Sequence, residues 1–227
     1  MKKHEVRALI EQIGIVPVVR ASSAAEARFA AEAVWHGGIP IVEITMTVPG
    51  AVGVIAELVK TMPEVLVGAG TVLDAETARK CAGVGAQFLV TPGFDAGTVA
   101  AASELDLVIM AGALTPTEVI TAWKSGADFV KVFPCGNMGG PNYIKALKGP
   151  LPQVPLVPTG GVNLETATDY LRAGAAALGV GGELILKEAL QARKAEMIRG
   201  LAARFVELVK EAGSQKSAKA EPIAPAR

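Results

Sequence analysis

Metal-binding and redox residues are scarce in this 227-residue chain, which has two cysteines, Cys81 and Cys135, and two histidines, His4 and His36. None of them falls at metal-ligand spacing, so no metal site and no cofactor are expected. The thiols read as reduced cysteines of a cytoplasmic protein. Net charge is absent as well, with 22 Lys plus Arg against 22 Asp plus Glu. There is no basic stripe to hold nucleic acid and no acidic tail to hold a polycation. No apolar run reaches the length of a membrane span, and Met1-Lys2-Lys3-His4-Glu5 carries no apolar signal core. Aromatic residues make up 4% of the chain. Ala, Val, Leu, Ile and Gly dominate instead, the composition of an α/β protein whose parallel strands are buried under closely packed helices.

Short β-branched runs alternate with longer Ala-rich stretches of helical spacing. The runs predict strands at 15–19, 41–45, 65–67, 87–90, 107–110, 129–132, 156–157 and 176–180. Helices are predicted between them, for example at 24–35, 51–60, 75–84, 115–124 and 164–172. Eight strands separated by helices fit a closed (β/α)₈ barrel or an open doubly wound sheet. The starts lie about 20–27 residues apart, near the ~250-residue norm for eight units. No Gly-x-Gly-x-x-Gly follows the first strand. Both points favour a TIM barrel. An extra N-terminal helix is expected at 5–13 and a last helix at 188–212. Residues 1–213 then form a single domain, and 214–227, rich in Ser, Lys, Ala and Pro, read as a disordered tail with no role in the chemistry. Gly37-Gly38, Gly85, Gly126 and Gly174 fall where left-handed helix ends are expected. Thr115-Pro116-Thr117-Glu118 reads as a helix start.

Lys131 is the most informative residue. It lies in Phe129-Val130-Lys131-Val132-Phe133-Pro134, a stretch that otherwise reads as a buried strand. Lysine is rarely buried without a reason. With a period of two, Phe129, Lys131 and Phe133 share one face. An amine among phenylalanines is poorly solvated, which favours the neutral form that a Schiff-base nucleophile needs. The hexapeptide alone equally fits a lysine whose stem packs and whose head reaches water. Glu43 is the counterpart, in Ile41-Val42-Glu43-Ile44-Thr45, where Glu43 and Thr45 share a face. If that face points into the barrel, Glu43 meets Lys131. Such a pair serves either proton transfer or a structural ion pair.

Functional groups of a (β/α)₈ barrel gather at the carboxyl ends of its strands. Arg20 ends the first strand, as an anion-binding guanidinium or a solvated strand end. Thr47 follows the second strand. Gly68-Ala69-Gly70-Thr71 ends the third, with Asp74 as a helix N-cap. Pro92 follows the fourth strand. Thr159-Gly160-Gly161 follows the seventh, and Gly181-Gly182 the eighth. Glycine turns at these two places often hold phosphate, although most Gly-Gly pairs are only turns. Cys135 reads as a loop thiol rather than a nucleophile.

These motifs together resemble the 2-keto-3-deoxy-6-phosphogluconate (KDPG) aldolase family, which includes 4-hydroxy-2-oxoglutarate (KHG) aldolases. The resemblance runs from about Ile10 to Leu208. It rests on Val42-Glu43-Ile44-Thr45, Val67-Gly68-Ala69-Gly70-Thr71-Val72-Leu73, Thr91-Pro92-Gly93, Phe129-Val130-Lys131-Val132-Phe133-Pro134 and Val157-Pro158-Thr159-Gly160-Gly161-Val162. It implies a metal-independent class I lyase in a trimeric (β/α)₈ barrel. The substrate would be a small 2-keto acid, either KDPG, giving pyruvate and glyceraldehyde 3-phosphate, or KHG, giving pyruvate and glyoxylate. Lys131 takes the Schiff-base position and Glu43 the general acid/base position. Thr71 and Pro92 match pocket-lining positions. Thr159, Gly160 and Gly161 match positions around the ligand and its phosphate end. Arg20, Thr45, Thr47, Phe133, Gly181 and Gly182 complete the expected substrate-binding set.

Two departures stand out. Some members carry Arg where this chain has Thr47, so Arg20 is expected to take the anionic contact. Many members have Ser in the loop after the eighth strand, where this chain has Gly182-Glu183. A hydroxyl is lost there and a carboxylate is added beside the phosphate position. Competing readings are a phosphosugar isomerase or epimerase on the same barrel, a dehydratase or a 6-phosphogalactonate-type aldolase, and an engineered or non-catalytic trimeric assembly subunit.

Overall fold

The computed structural model describes residues 1–219. Eight strands, β1 (Ile15–Val19), β2 (Ile41–Thr45), β3 (Leu66–Gly70), β4 (Phe88–Val90), β5 (Val108–Ala113), β6 (Phe129–Val132), β7 (Leu156–Pro158) and β8 (Leu178–Val180), lie parallel in the order β7-β6-β5-β4-β3-β2-β1-β8. The sheet closes where Thr159 bridges Gly179 and the Ala176 N–H donates to the Leu156 carbonyl at 2.8 Å. This is the expected (β/α)₈ barrel. Every strand residue is buried, because helices cover the outside and side chains fill the interior. That burial explains why the strands read as continuous apolar runs.

The helices are α1 (Lys3–Ile13), α2 (Ala24–His36), α3 (Ala51–Thr61), α4 (Ala75–Gly83), α5 (Ala96–Glu104), α6 (Pro116–Lys124), α7 (Pro141–Lys148), α8 (Ala167–Arg172), α9 (Lys187–Gln191) and α10 (Ala195–Lys219). Local chemistry sets their starts. Ser23, Asp74, Asp95 and Thr115 each accept a hydrogen bond from the backbone N–H three residues on. Thr115 and Glu118 form the capping box that the sequence predicts, with Pro116 in the first turn.

The extra helix α1 closes the amino-terminal end of the barrel. Its Lys3 Nζ lies 3.0 Å from Asp128 Oδ2, which also accepts from the Ile109 N–H at 2.9 Å. Its Arg7 guanidinium lies 5.8 Å from the centre of the Phe129 ring. With that end closed, access to the interior is from the opposite rim, where the βα loops lie.

Several boundaries differ from expectation, among them the starts of β8 at Leu178 and of α8 at Ala167. β3 and β5 run on to Gly70 and Ala113, through glycines that disfavour a strand by propensity but make room for neighbours inside the barrel. The single last helix expected at 188–212 is broken after α9. Arg193 takes φ 51 there, and its guanidinium stacks 5.2 Å from the centre of the Phe29 ring on α2. α10 then continues past 212 to Lys219, into the segment expected as a tail. The rest of that tail, 220–227, lies outside the described residues.

Gly68 tests the packing of the interior. A Cβ there would sit 2.3–2.4 Å from atoms of the Phe88 ring, which is fully buried. Gly68→Ala should destabilise the fold by about 1–3 kcal/mol, the usual range for overpacking. The expected readout is a lower urea midpoint at unchanged slope.

Candidate active site

Glu43 on β2 and Lys131 on β6 are each only 2% exposed. Strand register places a glycine beside each: Glu43 pairs with Gly68, and Lys131 with Gly112. The glycines are sterically required. A Cβ on Gly70 would lie 1.8 Å from Glu43 Oε1. One on Gly112 would lie 2.3 Å from the backbone of Pro92-Gly93, and one on Gly179 would lie 2.2 Å from Thr159 Oγ1. The Pro92 turn therefore lies against the strand residue that pairs with Lys131. Thr91 holds this turn, donating its hydroxyl to the Gly93 carbonyl at 2.6 Å and accepting from the Gly112 N–H at 2.8 Å.

Glu43 Oε1 is buried and has no hydrogen-bond partner. Burial pushes the carboxyl above the usual carboxylate range, opposed by the positive charges of Lys131 and then Arg20. The Lys131 ammonium lies 5.3 Å from the centre of the Phe133 ring. The interior thus holds an amine and a carboxyl group in electrostatic contact, with one carboxyl oxygen ready to accept a proton or a hydrogen bond. Such a pair is equipped for nucleophilic and general acid/base chemistry.

A chamber of about 170 Å³ opens on the rim, lined by Arg20, Phe133, Thr159, Gly160, Gly161, Gly181, Gly182 and Glu183 among others. It brings together seven residues picked out in the sequence, and Gly160 and Gly161 both adopt positive φ there. A larger cleft of about 500 Å³ adjoins it. Val18, Arg20, Gly181 and Gly182 border both cavities. The larger cleft is further lined by Ser22, Glu26, Thr47, Lys187 and Gln191. Of these only Thr47 was picked out from the sequence. Ser22 lies in the loop after β1, Glu26 on α2, and Lys187 and Gln191 on α9.

Lys131, Glu43, Thr45, Thr71 and Pro92 line neither cavity. The Thr45 hydroxyl donates to the Val19 carbonyl at 3.0 Å and lies 2.7 Å from the Thr47 hydroxyl, which must therefore be the donor in that second bond. This chain of bonds ties the end of β1, and so Arg20, to the loop after β2. Thr71 ends β3 in a left-handed conformation, φ 57.

Cys135 is fully buried, and burial pushes its thiol up to about 11. It stays protonated at neutral pH and is a poor nucleophile. Among the described residues, no three of His, Cys, Asp and Glu gather closely enough to hold a metal ion.

The raised Glu43 carboxyl has a consequence for stability. The native state keeps its proton to higher pH than the unfolded chain does. Its stabilising contribution is full below the ordinary carboxyl pKa and is lost as pH rises through the raised native value. Gln has no such proton to lose. Glu43→Gln should match the parent protein at about pH 4 and become progressively the more stable of the two as pH rises, in melting curves taken across pH. A stability difference that shrank with rising pH would contradict this account.

Comparison with known proteins agrees with the geometry. A family model described as KDPG and KHG aldolase matches residues 6–201. The KHG/KDPG aldolase of Escherichia coli is 34% identical over 194 residues, covering 85% of this chain and 91% of its own. A solved KDPG aldolase from Legionella pneumophila, with pyruvate captured as a covalent carbinolamine intermediate, superposes with a TM-score of 0.81. It is 29% identical, and the match covers 87% of this chain and 96% of that one. A cube-shaped protein cage designed by fusing symmetric oligomeric domains gives a TM-score of 0.83 at 31% identity, covering 92% of this chain and 76% of that one. On these grounds the chain belongs to the KDPG and KHG aldolase family, whose fold supports Schiff-base pyruvate aldolases.

Proposed function

We propose that this protein is a class I aldolase that releases pyruvate from a 4-hydroxy-2-keto acid, with Lys131 as the nucleophile and Glu43 as the general acid/base. The observation that carries the proposal is the buried pair itself: an amine and a proton-retaining carboxyl inside one apolar barrel. The candidate substrates are KDPG, giving pyruvate and glyceraldehyde 3-phosphate, and KHG, giving pyruvate and glyoxylate.

The Lys131 amine adds to the C2 carbonyl, and loss of water leaves an iminium. Glu43 supplies and removes protons in that dehydration. It then takes the C4 hydroxyl proton while the C3–C4 bonding pair flows into the iminium. The aldehyde leaves. The enamine is protonated at C3, and hydrolysis of the resulting iminium frees pyruvate and Lys131. Arg20 holds the keto-acid carboxylate, which suits its place on the rim and its action on Glu43. Thr71 and Pro92 wall the reacting carbons, and Thr159 with the Gly160-Gly161 and Gly181-Gly182 turns surrounds the far end of the substrate. An isomerase or epimerase on this barrel needs no Schiff base, so trapping with pyruvate discriminates against it.

We further infer a homotrimer located in the cytoplasm. The likeness to a domain of a cage built from symmetric oligomers supports the assembly. Two free, buried cysteines suit a reducing compartment. Among the described residues no helix is long and apolar enough to cross a membrane.

Incubation with pyruvate and borohydride should leave a reduced adduct on Lys131, located by peptide mapping, and none on a folded Lys131→Ala protein. Glu43→Gln should fold and lose about 10²–10⁴-fold in kcat. Absence of any adduct on the parent protein would overturn the proposal.

A further inference from the structure

The two cavities of the rim meet along one edge, and Gly181 on that edge differs from the other glycines of the site. Gly160 and Gly161 take φ 84 and 79, where a side chain would be strained. Gly70, Gly112 and Gly179 leave room for packed neighbours. Gly181 has neither reason to be glycine. Its φ is not left-handed. A Cβ there would stand 3.9 Å from the Val18 carbonyl oxygen and 4.0 Å from Val18 Cβ, in ordinary contact. That Cβ would point toward Val18, which borders both cavities together with Gly181. The missing side chain leaves open space where the chamber meets the cleft.

The chamber reaches toward the reacting pair. Phe133 lines it, and the centre of the Phe133 ring lies 5.3 Å from Lys131 Nζ. Its volume is about 170 Å³, against about 500 Å³ for the cleft beyond. The buried lining of the cleft is aliphatic, with Val18, Ile185 and Leu190, and Ala21 beside them is half-buried. The exposed lining is polar, with Arg20, Ser22, Lys187 and Gln191 at the mouth. The half-buried Glu26 carboxylate accepts from the Ser22 N–H and hydroxyl at 2.9 and 2.7 Å. An apolar floor beneath a polar mouth suits a hydrocarbon chain, because each methylene taken from water onto that floor adds affinity.

We propose that Gly181 is a specificity-determining residue that opens the chamber to the cleft, so that the aldehyde portion of the substrate extends over it as an aliphatic chain. This rests on the aldolase reading above and leaves the chemistry unchanged. The C4 hydroxyl proton passes to Glu43, the C3–C4 bonding pair flows into the iminium, and a long-chain aldehyde leaves.

The test compares kcat/KM for 4-hydroxy-2-oxononanoate, which releases hexanal, and 4-hydroxy-2-oxopentanoate, which releases acetaldehyde. Both are followed by pyruvate release on the full chain, and Lys131 labelling by pyruvate and borohydride is measured on every sample. The parent protein should favour the longer acid by about tenfold or more. Gly181→Leu, which fills the junction, and Ala21→Trp, which fills the cleft alone, should each lower that ratio by about tenfold while Lys131 is still labelled. A labelled parent protein that favours the shorter acid overturns the inference and leaves the aldolase reading standing. A ratio that neither substitution moves also overturns it. A parent protein that forms no Lys131 adduct overturns both.

Discussion

Keeping an amine and a carboxyl group inside an apolar barrel is the constraint to which much of the surrounding structure answers. Either group alone would be costly to desolvate, and together they offset one another only in part, since Glu43 is still held toward its protonated form. The space they occupy comes from glycines. Gly70 yields to Glu43, Gly112 yields to the Pro92-Gly93 turn beside Lys131, and Gly179 yields to Thr159. Glycine in a strand interior costs conformational entropy and side-chain packing. At the neighbouring Gly68 the vacated space is filled by the fully buried Phe88 ring.

The two ends of the barrel are treated differently. At the amino-terminal end, α1 seals the interior with the Lys3–Asp128 ion pair and the Arg7–Phe129 contact. At the carboxyl end, short hydrogen bonds hold the loops: Thr45 with Val19 and Thr47, and Thr91 with Gly93 and Gly112. These bonds fix the loops of the rim, where a polar chamber stays open. Reactive groups on strands and recognition groups on loops are the division of labour that a (β/α)₈ barrel allows.

That division lets the two ends of a substrate be recognised separately. Lys131 and Glu43 are held by strand register, which a change in a loop does not disturb. Glu183, Lys187 and Ser22 lie on the rim, so loop changes alter the charge there without moving the buried pair.

The fold class was legible because eight buried runs alternate with capped helices, and local chemistry such as the Thr115–Glu118 box needs no tertiary partner. Lys131 and Glu43 were legible for a different reason: a charged residue within an apolar strand is conspicuous in any fold. What the sequence could not determine was distance. That Gly70 rather than another small residue faces Glu43 depends on the register of β2 and β3. That Thr45 bonds to β1 depends on strand neighbours far apart in the chain. The extent of β3 and β5 was underestimated because propensity discounts their glycines, and the break at Arg193, whose guanidinium meets the Phe29 ring of α2, carries no Gly or Pro to mark it. Glu26, Lys187 and Gln191 reach the rim only through the packing of α2 and α9 near the ends of β1 and β8. The sequence by itself determined which charged residues stand out in the interior, Lys131 and Glu43, because their type conflicts with their surroundings. The tertiary structure alone decided which residues meet at the rim, because the pairing of β1 with β8 and the closure between β7 and β8 join segments that no local pattern connects.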